Sequence, residues 1–216
     1  MSRFLYIVLY TYMARNTNKK LLYRNYFKRI IDIIISAICL ILFSPLFILC
    51  SILIYHEDGT PIIFSQERIG KGGNPFYILK FRTMRPNCEQ LGPQLSNLEN
   101  DPRLTRTGKW LRVHHLDELP QLWNVFIGDM SFIGYRPERK FFIEKILEHD
   151  SRYSMLYDIR PGVTSYATLY NGYTDTMEKM LVRLDLDLYY LKKISFSFDI
   201  KILWLTFYHI ILGKKF

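Results

Sequence analysis

The chain has 216 residues, of which 49% are hydrophobic and 16% aromatic, and its formal net charge is +9. That length and apolar content suit one domain, or one domain with a membrane element, and they exclude an intrinsically disordered chain. Three cysteines, Cys39, Cys50 and Cys88, show no paired spacing, so neither a disulfide framework nor a zinc site is indicated. The excess charge sits early: Arg3, Arg15, Lys19, Lys20, Arg24, Lys28 and Arg29 precede Ile30 with no Asp or Glu among them. Beside an apolar run, such a cluster suits anionic lipid headgroups. A nucleic-acid partner is not expected, because no nucleic-acid-binding motif accompanies the charge.

Residues 1–29 are expected to form a basic, interfacial N-terminal segment. Within it, Arg3 to Ala14 is apolar and aromatic but too short to span a bilayer, and it lacks a signal-peptide cleavage pattern. Either it lies in the interface or Met13 is the true start. Ile30 to Tyr55 is long and apolar enough for a spanning helix. Three features argue against a plain span. Asp32 lies near its start. Ser44-Pro45 lies in its middle, where Pro removes a backbone bond and favours a kink. The positive-inside rule also keeps the basic cluster cytoplasmic, so a full span would put the rest of the chain on the far side. Two readings stand: a straight span, which the residues alone favour, and a helix that breaks at Ser44-Pro45 and returns over residues 30–55.

Residues 56–216 are expected to fold as one unit. His56 to Pro61 is turn chemistry. Pro61 to Gln66 reads as a short strand, and Arg68 to Asn74 as a glycine-rich basic loop. That loop is either a phosphate cradle or a plain hairpin turn, and it lacks the spacing of a P-loop. Phe76 to Met84 alternates with period two, which puts Phe76, Ile78, Lys80 and Arg82 on one face. Two cations ending a buried face are either a solvated strand end or a substrate contact. Arg85 to Asn100 reads as a loop, and Thr107 to His114 as a helix carrying Arg112.

Leu116-Asp117-Glu118-Leu119-Pro120-Gln121-Leu122 then sets two adjacent carboxylates ahead of a proline and an apolar run. Pro is tolerated in the first turn of a helix, so Asp117 is expected at or near an N-cap with Glu118 in the first turn. Backbone N–H groups and the helix dipole would keep such an Asp ionised, and the same helix end attracts phosphate. An ordinary capping Asp is the plainer alternative. Phe141 to Asp150 and Met177 to Lys193 read as amphipathic helices. Ile200 to Leu212 reads as an aromatic-rich helix that lies in a membrane interface or packs on the domain.

The ordered blocks carry more weight than any one motif. Lys80-Phe81-Arg82-Thr83-Met84 is followed by Asp101-Pro-Arg103-Leu-Thr105-Arg106-Thr-Gly108-Lys109-Trp-Leu-Arg112, then by the acidic pair, then by Gly128-Asp129-Met130-Ser131-Phe-Ile-Gly134-Tyr-Arg136-Pro137. This sequence resembles the bacterial sugar transferases, the monotopic phosphoglycosyl transferases, over about Lys28 to Leu212. It departs from their pattern at Tyr135, at His114-His115, and at Ser165, Tyr166 and Thr168 after Arg160-Pro161-Gly162.

The resemblance implies an α/β fold, mostly α: a re-entrant membrane helix, a small catalytic domain with a short β-hairpin, and interfacial helices. It implies transfer of a sugar 1-phosphate from a UDP-sugar to a polyprenyl phosphate, the first membrane-bound step of a surface glycan such as an exopolysaccharide or lipopolysaccharide. Asp117 would be the nucleophile, Glu118 would orient the site, and both would hold Mg²⁺. Lys80, Arg82, Arg112 and Arg136 would bind phosphates, and Asp187 matches a family aspartate. The implied location is the cytoplasmic membrane with the catalytic domain facing the cytoplasm. A homodimer is left open. A glycosidase fits poorly, because its two carboxylates must flank a bond and neighbours in one helical turn point apart. A membrane-anchored, non-catalytic basic binding protein would explain the early charge but not the ordered blocks.

Overall fold

The computed structural model of the protein describes residues 20–85, 101–172, 174 and 176–212. The expected interfacial stretch Arg3 to Ala14 and most of the expected loop Arg85 to Asn100, with Cys88, lie outside the described residues. Among those described, the fold is mostly helical with two small two-stranded sheets.

A π-helical turn, Tyr23–Phe27, runs into α1, Lys28–Leu42, and α2 follows at Ser44–Asp58. The stretch Lys20–Leu42 and α2 are bent by 60°. Pro45 lies in the first turn of α2, where its missing N–H has no helical partner to lose. At the bend, Ser44 Oγ donates to the Ile41 carbonyl at 2.8 Å, which satisfies one of the groups the break would orphan. No single described helix is long and apolar enough to cross a membrane, but the bent pair meets that test together by length and composition. Its outer faces are apolar and exposed: Ile30, Ile34, Ile38 and Ile41 on α1, Ile48, Ile52 and Tyr55 on α2.

Strands β1, Ile63–Ile69, and β2, Pro75–Phe81, pair antiparallel, with Phe64 opposite Lys80 and Arg68 opposite Phe76. The glycine-rich loop between them forms a plain hairpin turn: Gly70 N–H donates to the Asn74 carbonyl at 2.8 Å, across the 3-10 turn Lys71–Gly73. Next come α3, Arg106–Val113, the 3-10 turn Leu116–Glu118, and α4, Gln121–Ile127. β3, Ser131–Ile133, then pairs in parallel with β4, Gly162–Thr164, across α5, Lys140–His149, and the 3-10 stretch Ser151–Asp158. Three further helices follow among the described residues: α6, Tyr166–Asn171, α7, Met177–Lys193, and α8, Phe196–Ile211.

Among the described residues, three buried clusters hold these parts together. The largest joins Ile143 and Ile146 of α5, Tyr153 and Leu156, Leu184 and Leu188 of α7, and Ile202 of α8. The second joins Cys50 and Ile54 of α2 to Phe81 and Leu111, and so packs the end of α2 on α3. The third joins Phe76 and Ile78 of β2 to Val125 and Met130, under α4. α8 starts before the expected Ile200, because Asp199 in its first turn is buried rather than solvated. Its carboxylate accepts from Tyr23 Oη at 2.8 Å, from Tyr190 Oη at 2.7 Å and from Lys28 Nζ. That shared acceptor ties the start of α1 to α7 and α8. On another face, α8 exposes Phe196, Ile200, Trp204, Phe207 and Ile211 at helical spacing.

Candidate active site

The acidic pair lies on a turn between two short helices, and the local sequence explains the turn. Thr105 caps α3, its hydroxyl accepting from Gly108 N–H at 2.9 Å. Gly108 lies against the Thr83 backbone so closely that a Cβ there would be 2.1 Å from the Thr83 carbonyl oxygen. α3 is thereby pressed onto Thr83, and Arg112 Nε donates to Thr83 Oγ1 at 2.9 Å. His115 takes the left-handed conformation, φ 54°, which reverses the chain after α3. Asp117 and Glu118 follow directly.

The expected N-cap is corrected. Leu119 and Pro120 keep right-handed helical angles, so the chain enters α4 through a 3-10 turn, and Pro120 occupies the N-cap position. Asp117 sits one turn earlier. Among the described residues no donor hydrogen-bonds its carboxylate. The downward pKa shift that capping would give is not found either. Burial raises the Asp117 pKa, Lys80 pulls it back, the Glu118 charge raises it again, and the net direction is upward. Only 7% of Asp117 is exposed.

Glu118 is treated differently. Its Oε1 accepts from Lys80 Nζ at 2.6 Å and lies 3.4 Å from Arg136 Nη2. Burial would raise its pKa, but Lys80 and Arg136 outweigh burial and hold it well below the usual carboxylate range. Lys80 arrives from the end of β2, and Arg136 from the loop after β3. Arg112 is close enough to lower the Asp117 pKa, as is His115. The structure therefore brings together Asp117, Glu118, Lys80, Arg112 and Arg136 from four segments.

Two expected site residues lie elsewhere. Strand β2 stops at Phe81, so Arg82 leaves the Lys80 face. Its Nη2 donates to the carbonyls of Asp58 at 2.7 Å and Gly59 at 2.8 Å, with the Asp58 carboxylate 3.3 Å away. Arg82 thus grips the C-terminus of α2. Asp187 is 3% exposed and lies near Arg183 and Glu138. Burial raises its pKa well above the ordinary value, more than Arg183 lowers it. It reaches the acidic turn only in steps, through Arg183, which pairs with Glu138 at 3.1 Å, two residues beyond Arg136.

Three of the residues at which the chain departs from the resembled pattern make packing or capping contacts. Tyr135 is fully buried in the largest core cluster. Ser165 caps α6, accepting from Thr168 N–H at 2.8 Å, and the Tyr166 ring packs at a tilt against Tyr170, Tyr189 and Phe198.

Sequence reasoning did not single out Asn124. Its Oδ1 accepts from Leu79 N–H at 3.0 Å, and its Nδ2 donates to the Tyr77 carbonyl at 2.8 Å. The amide thus occupies the open edge of β2 as a neighbouring strand would, and it fixes Lys80 relative to α4. The sequence marks it as a polar residue in an apolar helix and as part of the motif block after the acidic pair, without a role.

As a place for a divalent cation, the turn offers hard oxygen donors: the Asp117 carboxylate, and Glu118 Oε2, which accepts no hydrogen bond among the described residues. No group of three His, Cys, Asp or Glu side chains suited to a metal occurs among the described residues. Two carboxylate donors fit a Mg²⁺ ion held mainly by substrate phosphates rather than by an all-protein cage.

An acidic turn flanked by cations, in a chain that also carries a bent apolar helix pair, agrees with comparison to known families. Residues 23–213 match the family described as bacterial sugar transferase, and the chain belongs to it. Among similar proteins is a UDP-N-acetylgalactosamine-undecaprenyl-phosphate N-acetylgalactosaminephosphotransferase of Aeromonas hydrophila, 38% identical over 87% of this chain and 44% of its own length. UDP-glucose:undecaprenyl-phosphate glucose-1-phosphate transferases of Escherichia coli and Caulobacter vibrioides are 38% and 39% identical, each over 83% of this chain, and over 39% and 67% of their own lengths. The chain spans about two fifths of the first three curated relatives it matches.

Proposed function

We propose that this chain catalyses transfer of a sugar 1-phosphate from a UDP-sugar to undecaprenyl phosphate, releasing UMP and forming a polyprenyl-diphospho-sugar. The names of the relatives support the reaction class. One structural observation supports the roles: of two adjacent carboxylates, Glu118 is clamped by Lys80 and Arg136, while Asp117 is buried with no hydrogen bond among the described residues.

In this reading an Asp117 oxygen attacks the phosphorus that bears the sugar. The bond from that phosphorus to the UMP oxygen breaks, UMP leaves, and an aspartyl phospho-sugar remains. An oxygen of undecaprenyl phosphate then attacks the same phosphorus, and the Asp117 carboxylate is released. Lys80, Arg112 and Arg136 offset the charge of the diphosphate. Glu118 holds Lys80 and Arg136 in place, and with Asp117 it would hold Mg²⁺. When bound, that ion would offset the negative charge of the diphosphate.

The same reading makes the bent pair α1–α2 a re-entrant membrane element. Both of its ends are bonded to one domain: Lys28 to Asp199, and the Asp58 and Gly59 carbonyls to Arg82. Its apolar outer faces and the exposed stripe on α8 suit the bilayer and its interface. The catalytic turn then faces the cytoplasm, where UDP-sugars are found.

The test is UMP release by the purified full chain across UDP-glucose, UDP-N-acetylgalactosamine and UDP-galactose, with undecaprenyl phosphate and Mg²⁺. The proposal expects release from at least one donor, dependent on the acceptor and on the cation. Absence of release from every donor would count against it.

A further inference from the structure

The acidic turn is held from both sides by the two ends of the bent pair. On the upstream side, the Glu57 carboxylate at the end of α2 caps α3: Oε1 accepts from Arg106 N–H and Oε2 from Thr107 N–H, both at 2.7 Å. These are two of the first-turn donors that a helix leaves unsatisfied, and one bidentate carboxylate takes both. On the downstream side, Arg29 in the first turn of α1 caps α4: Nη1 donates to the Val125 carbonyl and Nη2 to the Phe126 carbonyl at 2.8 Å. These are last-turn carbonyls with no helical partner. A negative group thus meets an N-terminus and a positive group a C-terminus, each with the sign the helix dipole favours. Asp117 and Glu118 lie on the short link between the two capped helices.

We propose that Glu57 and Arg29 are positioning residues that couple the bent helix pair to the acidic turn, so that the seating of α1–α2 sets where Asp117 stands. Other contacts in the same places act in the same direction. Arg82 grips the carbonyls at the end of α2 beside Glu57, and Asp32, one turn after Arg29, accepts from Phe132 N–H at 3.2 Å. α3 also carries Arg112, which faces Asp117, so a shift of α3 would move a phosphate-binding cation together with the turn. Neither Glu57 nor Arg29 touches the acidic pair; each acts through a helix terminus. The catalytic consequence rests on the transferase reading above, but the mechanical coupling does not.

The test uses the full chain in nanodiscs, with Glu57→Ala, Glu57→Gln, Arg29→Met and Arg29→Lys compared with the unmodified protein. Two readouts are taken. Amide hydrogen exchange is followed at Arg106 and Thr107 and across residues 116–119. Steady-state UMP release is resolved into kcat and donor KM. Misplacement of a reacting group by ~1 Å costs on the order of 100-fold in rate. Glu57→Ala and Arg29→Met are therefore expected to lose kcat by about that factor with donor KM unchanged, and to exchange faster across residues 116–119. Glu57→Gln keeps one acceptor and Arg29→Lys one donor, and both are expected to recover most of the loss. Faster exchange confined to Arg106 and Thr107 in Glu57→Ala would overturn the coupling. So would an unchanged kcat in variants whose thermal midpoint is unchanged. If the unmodified protein releases no UMP, the transferase reading fails, and the exchange pattern alone decides whether the turn is held from the helix ends.

Discussion

Lys80 donates its hydrogen bond to Glu118, at 2.6 Å, and not to the adjacent Asp117. That choice separates two chemically similar groups. Glu118 is held as a carboxylate by cations beside it, its pKa well below the usual carboxylate range, while burial raises the pKa of Asp117. Pairs of titratable groups driven apart by their surroundings are a recurrent sign of divided catalytic roles.

A pH dependence follows from that separation. Asp117 attacks only as a carboxylate, so kcat/KM falls as the pH drops through its raised pKa. In Glu118→Gln the neighbouring negative charge that raises this pKa is gone, and the acid limb moves to lower pH. In Lys80→Met the cation that lowers it is gone, and the limb moves to higher pH. The pH profile of kcat/KM, which reports groups of the free enzyme, checks both directions. A Lys80→Met limb that stays in place or moves to lower pH contradicts the assignment.

Gly108→Ala is predicted to destabilise the protein although it lies within a helix. Propensity alone would make Ala better than Gly by about 0.8–1.0 kcal/mol in a helix interior. Here the new Cβ would lie 2.1 Å from the Thr83 carbonyl oxygen, a contact only backbone movement can relieve. Such overpacking typically costs about 1–3 kcal/mol, so the net sign is unfavourable. Because α3 also carries Arg112, turnover is expected to fall together with the thermal midpoint. A raised midpoint would contradict the close approach of α3 to Thr83.

Topology is testable by cysteine accessibility. In a chain whose Cys39, Cys50 and Cys88 are replaced by Ala, Lys20→Cys and Lys71→Cys are expected to label only after cell lysis. Labelling of position 71 from outside intact cells would rule out a re-entrant pair. Pro45→Ala restores a backbone donor at the break and is expected to favour a continuous, spanning helix, since unpaired backbone groups are costly in lipid.

How far the sequence reached depended on the range of the interactions involved. The alternation before Lys80 and the periodic stretches Phe141 to Asp150 and Met177 to Lys193 are local patterns, and each became the expected kind of element, whereas the apolar run, which the residues alone favour as a straight helix, is bent after Leu42. The convergence of Lys80, Arg112 and Arg136 on the acidic turn was suggested by the order of the motif blocks. Arg82 shows where periodicity fails: period two puts it beside Lys80, but the strand ends at Phe81 and the guanidinium turns to the end of α2. Asn124, Glu57 and Arg29 were not legible, because each bonds backbone groups 45 or more residues away and no side-chain pattern records such a partner. The N-cap assigned to Asp117 failed for a different reason: Pro120 permits a 3-10 entry as readily as a capped one.

The central claim is that Asp117 forms a covalent phospho-sugar intermediate. Intact-protein mass spectrometry of the full chain, mixed with Mg²⁺ and the UDP-sugar it uses but without acceptor, tests it most directly. The account predicts an added sugar phosphate that maps to Asp117, with release of UMP, and loss of both adduct and turnover in Asp117→Asn. An active Asp117→Asn enzyme, with no adduct on the unmodified protein and kinetics that require donor and acceptor to be bound together, would contradict it.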